Sequence, residues 1–124
     1  MPKNPIAVTD IYGDVPLYIF KPIKAVSITA GTPVAVWTPT TGTRFRLLGF
    51  CVLPTVANVG ILFEDAAGSG NEFLRFPPTA AVATAQVPMR LHPYGYLSTT
   101  VDNALFLDVT ITATVSGFVY GTEE

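Results

Sequence analysis

The sequence predicts an all-β fold: an antiparallel β-sandwich, jelly-roll-like, of about eight or nine short strands with an extended N-terminal arm. Three observations predict it. Val, Ile and Thr make up 37 of the 124 residues, and β-branched side chains suit the pleated, half-buried surface of a strand. Glycine (10) and proline (11) punctuate the chain at short intervals, as turns between strands require. Runs alternating apolar and polar residues recur between these breaks, the period of a strand with one face in a core. The same composition excludes a helical bundle, a coiled coil and a disordered chain.

Residues 1–22 read as the arm and residues 23–124 as the sandwich domain. Pro2, Pro5, Pro16 and Pro22 interrupt the arm, and Gly13-Asp14 marks a turn. Between them stand Ile6, Val8, Ile11, Val15, Leu17, Ile19 and Phe20, too apolar a set for a free tail. The arm either adds a strand to its own sheet or lies on a neighbour. Its candidate contacts are Ile6, Val8, Ile11, Tyr12, Leu17, Tyr18 and Phe20.

Regular patterning begins at Ile23. Ile23 to Thr29 alternates weakly, and Ala30-Gly31-Thr32-Pro33 is a turn. Val34 to Thr38 is a short strand, followed by the turn Pro39 to Thr43. Arg44 to Leu53 is the strongest strand. One face carries Phe45, Leu47, Gly49, Cys51 and Leu53; the other carries Arg46, Leu48, Phe50 and Val52. A strand apolar on both faces is central and covered on both sides, here by the opposite sheet and by either the arm or a partner subunit.

Val59 to Glu64 and Glu72 to Phe76 form a hairpin around the glycine-rich turn Asp65 to Asn71. Pro77-Pro78 stops the return strand. Thr79 to Gln86 reads as a loop or extended edge, and Val87 to Leu91 as a short strand interrupted by Pro88. His92-Pro93-Tyr94-Gly95 is a turn before Tyr96 to Thr100. Leu105, Leu107, Val109, Ile111, Ala113 and Val115 then share one face. Phe118 and Tyr120 resume the apolar phase one residue late, so a bulge at Ser116-Gly117 within one long bent strand to Tyr120 is expected.

Charge bounds the function. Charged residues are 13% of the chain and the net charge is −2, against about 25% charged in ordinary soluble domains. The seven basic residues form no cluster, which argues against nucleic acid as a partner and against an electrostatic membrane anchor. The longest apolar stretch, Leu47 to Phe63, carries Pro54 and Asn58 and is too short to span a bilayer. Residues 1–10 lack the pattern of a signal peptide. A lone cysteine, Cys51, reads as a small buried hydrophobe made in a reducing cytoplasm. The thin charged skin implies that part of the exterior is hidden in an oligomer or larger assembly.

No catalytic signature appears, and no cofactor or metal is expected. The only histidine, His92, lies in a turn, and no serine sits in a nucleophile elbow. One His and one Cys do not make a zinc site in a single chain. Glu64, Asp65 and Glu72 read as the solvated rim of the hairpin, and Arg44, Arg46 and Arg75 are available to pair with them across strands. Gly68-Ser69-Gly70 lacks the Lys and Ser/Thr of a phosphate loop. His92, Tyr94 and Tyr96, beside Arg90, form either a binding edge for sugar or protein or a core-packing cluster.

From Ile23 to Glu124 the order of pieces resembles small β-sandwich structural proteins of tailed bacteriophages and prophages. The pieces are Gly31-Thr32-Pro33, the strand Thr43 to Phe50, the hairpin around Gly68-Ser69-Gly70, and His92-Pro93-Tyr94-Gly95-Tyr96. Asn103 to Val109 and Thr112 to Tyr120 complete the series. The resemblance implies a non-enzymatic virion protein made in the host cytoplasm, a capsid decoration or cement protein or another head or tail accessory module. It implies self-association, with a trimer favoured, and contact with the major capsid or other virion proteins. The alternative is a tail-fibre or receptor- or carbohydrate-binding module that uses the 92–96 and 65–71 loops, with glycan as its ligand.

Overall fold

Nine strands form among residues 18–76, 89–90 and 94–124, which are those described by a computed structural model of the chain. They are β1 (Ile19–Ile28), β2 (Val34–Trp37), β3 (Phe45–Pro54), β4 (Ile61–Asp65), β5 (Glu72–Phe76), β6 (Met89–Arg90), β7 (Tyr96–Leu97), β8 (Leu105–Val109) and β9 (Ala113–Glu123). One 3-10 turn, Ser69–Asn71, lies in the β4–β5 hairpin. One sheet runs β1-β9-β3-β6, with β7 also paired to β3; the other runs β2-β8-β4-β5. Every pairing is antiparallel.

The two sheets pack as a sandwich because each turns one apolar face inward. The shared core joins Ile23, Ile28, Phe45, Leu47, Phe50, Val52, Val115 and Val119 of the first sheet to Trp37, Ile61, Phe63, Leu105, Leu107 and Val109 of the second. Phe50 meets Phe63 across the interior at 5.0 Å, and Trp37 meets Phe45 at 5.8 Å. Trp37 also donates from Nε1 to Oε1 of Glu123 at 3.0 Å, while the Thr40 amide donates to Oε2 of the same carboxylate. That carboxylate ties β2 to β9 at one end of the sandwich.

The strand expected over Arg44 to Leu53 is β3, and it lies between β9 and the short strands β6 and β7. Its faces are not the simple alternation the sequence offers. The β3–β9 register shifts between Leu47 and Gly49. Phe45 and Leu47 therefore face the core, and so do Phe50 and Val52, while Leu48 and Cys51 are buried outside that core cluster. A bulge adds one residue and reverses the phase beyond it.

A second correction concerns the run from Leu105. It is two strands in different sheets: β8 pairs with β2 and β4, and β9 with β1 and β3. The inward set survives the crossing, since Leu105, Leu107, Val109, Ala113 and Val115 are all in the core; only Ile111, at the crossing, is exposed. The expected bulge at Ser116-Gly117 is absent from the β3–β9 pairing; the β1–β9 register does shift opposite Ser116, with the extra residue on β1 between Ile23 and Val26. Cys51, Val52 and Leu53 pair in unbroken register with Phe118, Gly117 and Ser116. Val119 continues the inward phase, so Phe118 and Tyr120 belong to the outer face.

The boundary drawn at residue 22 falls inside β1. Ile19 to Pro22 pair with Gly121 to Phe118 in the chain's own sheet. Residues 1–17 lie outside the described set. The β4–β5 hairpin forms as expected, with Ile61 opposite Phe76 and Glu64 opposite Glu72.

Candidate functional site

The outer face of the first sheet carries four aromatic rings on two adjacent strands. Tyr18 and Phe20 stand on and just before β1; Phe118 and Tyr120 stand on β9, where Phe20 is registered opposite Tyr120. Phe20 stacks on Phe118 with centroids 5.0 Å apart and planes inclined 27°; Tyr18 meets Tyr120 edge-on at 6.1 Å and 75°. Phe118 and Tyr120 lie 6.3 Å apart at 34°. The rings thus form one connected quartet. Phe20 is 59% exposed and Tyr18 43%, a large apolar surface to leave facing water.

Gly49 on β3 supports the quartet. A Cβ there would stand 2.4 Å from Cε1 of Tyr120, so only glycine lets that ring lie across the neighbouring strand. Among the described residues, Lys24 and Arg46 stand at the margins of this face. Exposed Lys24 lies beyond Pro22 on β1. At the other end Arg46 pairs with Glu124 through Nε, and through Nη2 at 3.2 Å.

β1 is the outermost described strand of its sheet, and its edge is guarded. Pro22 offers no N–H, Lys24 is charged and exposed, and the β1–β9 register shifts between Ile23 and Val26. These are features that blunt a sheet edge against a further strand.

A second cluster is centred on Asp65, at the end of β4. Its carboxylate is 4% exposed. It accepts from the Thr99 amide (2.7 Å), the hydroxyls of Ser98 (2.7 Å), Tyr96 (2.9 Å) and Thr99 (3.1 Å), and Nδ2 of Asn103 (3.0 Å). Burial pushes the Asp65 pKa up, but the donors from Thr99, Ser98, Asn103 and Tyr96 outweigh it and hold the carboxyl below its ordinary value. Burial, then the bond to Asp65 and its charge, push the Tyr96 phenol up to about 12. The Tyr96 ring stacks on Phe73 at 3.7 Å with planes 3° apart. This cluster fastens the 96–103 segment to β4, and its polar atoms are consumed in doing so.

Two of the three hairpin carboxylates, Glu64 and Asp65, are therefore buried instead of forming the solvated rim that the sequence suggests, while Glu72 stays at the surface. Glu64 is 3% exposed and accepts from the Gly68 amide at 2.8 Å. Glu72 pairs with Arg75 on its own strand at 2.7 Å, and Arg46 turns to Glu124 instead.

Of the residues singled out in the sequence, Tyr18 and Phe20 come together in the quartet. Ile6, Val8, Ile11, Tyr12, Leu17 and His92 lie outside the described residues. Tyr94 exposes its ring and accepts from Nη1 of Arg46 at its carbonyl (2.7 Å), whereas Tyr96 is half-buried in the Asp65 cluster. Phe118, Tyr120 and Gly49 were not foreseen as one site. The available signal was phase, since Phe118 and Tyr120 alternate with inward Val119.

Fold and surface define an all-β sandwich of two antiparallel sheets with an exposed aromatic face. No family model, curated protein or solved structure matches the chain significantly. Among the described residues no helix is long and apolar enough to cross a membrane.

Proposed function

We propose that this chain is a non-enzymatic structural protein of a tailed-bacteriophage virion, specifically a capsid decoration or cement protein. The observation that carries the adhesive part of this reading is the charge-free aromatic quartet on the outer sheet face. Its exposed rings are the chemistry that concentrates at the centre of protein interfaces. The virion context comes from the resemblance over residues 23–124. In this reading the jelly-roll-like sandwich is the rigid body. Residues 1–17, which precede Tyr18 in the sequence, are the arm. Arm and outer face together bind neighbouring subunits and the major capsid protein, with no part for nucleic acid or membrane.

The test is binding of the full chain to purified heads of the phage that encodes it, by co-sedimentation and by density in a particle reconstruction. Stoichiometric density on the shell supports the proposal. Particles that assemble without the chain and do not bind it sink the proposal. Deletion of residues 1–17 should abolish binding and leave the circular dichroism of the sandwich unchanged; retained binding removes the arm from the mechanism. Exposure of the Tyr94 ring favours the second reading, a glycan- or receptor-binding module. Glycan-array binding lost in Tyr94→Ala would move the assignment there.

A further inference from the structure

We draw no further inference here: the strongest candidate, the aromatic patch of Tyr18, Phe20, Phe118 and Tyr120 on the outer face of the first sheet, belongs to the site already described, and nothing in the structure shows what covers it.

Discussion

The ring of Tyr120 occupies the space that any side chain at Gly49 would need: a Cβ there would lie 2.4 Å from its Cε1 and hydroxyl oxygen. The two residues face each other in the β3–β9 register. Gly49→Ala should therefore displace the ring and cost about 1 kcal/mol, the low end of the overpacking penalty, because the clash is with the outer end of a half-exposed ring. Urea unfolding followed by the fluorescence of Trp37, the only tryptophan, measures it. In a Tyr120→Ala background the same substitution should be nearly neutral, and that difference isolates the contact.

Asp65→Ala should be the most damaging polar substitution in the described residues. It strands donors from Tyr96, Ser98, Thr99 and Asn103 around a buried site. Each buried donor left without an acceptor costs about 1–3 kcal/mol, so a total loss of about 3 kcal/mol or more is expected. Ser98→Ala removes one donor and should cost only about 1 kcal/mol. Equal losses in the two variants would refute the shared-acceptor account.

Acid should weaken the same cluster. The Asp65 carboxyl is held below its ordinary value of 3.8. Its contribution is complete above that value and disappears as pH falls through the lower folded one. Unfolding free energy should thus decline as pH falls through and below 3.8, and Asp65→Asn should flatten part of that decline. Glu123, also held low by Trp37, Thr40 and Lys21 against the opposing effect of burial, supplies another part of the slope.

Alkali acts through Tyr96, with the opposite sign. Its phenol ionises at 10.0 when unperturbed and at about 12 in the fold. The neutral form is favoured by folding, so the contribution is whole below about pH 10 and is lost as pH rises towards about 12. Tyr96→Phe keeps the stack on Phe73 and loses the bond to Asp65, at about 1 kcal/mol near neutral pH. Stability curves of wild type and Tyr96→Phe should converge as the pH approaches that of phenol ionisation.

Trp37→Phe removes the indole donor to Glu123 and leaves a gap beside Phe45. Loss of a bond to a charged group and of buried ring volume together predict about 2–4 kcal/mol, read by thermal or urea unfolding. A cost below about 1 kcal/mol would show that the Glu123 clamp adds little.

The individual strands were legible because alternation is local. β2, β3, β4 and β5 can be read directly from runs of apolar residues between turn signals. Sheet membership was less so. Leu107 and Val115 share an inward phase although their strands lie in opposite sheets, so periodicity alone did not reveal the crossing at Ile111. The bulge at Leu48 leaves no mark in composition, yet it decides that Phe50 faces in and Cys51 out. Half the aromatic quartet was visible, since Tyr18 and Phe20 sit together near the chain's start. Their partners Phe118 and Tyr120 are close only through the pairing of β1 with β9. Asp65 read as a rim residue because its five donors come from a segment more than thirty positions away.

The chain changes sheet at nearly every step, and its first described strand pairs with its last. During synthesis β1 must wait for β9, its one partner among the described strands, to leave the ribosome. Until then Ile19, Ile23 and Ile28 have no permanent cover. Non-local pairing of this kind makes for slow folding and prolonged exposure of sticky intermediates. The same pairing gives the finished molecule a seam joining its earliest and latest strands, so damage near either end is felt in the same sheet.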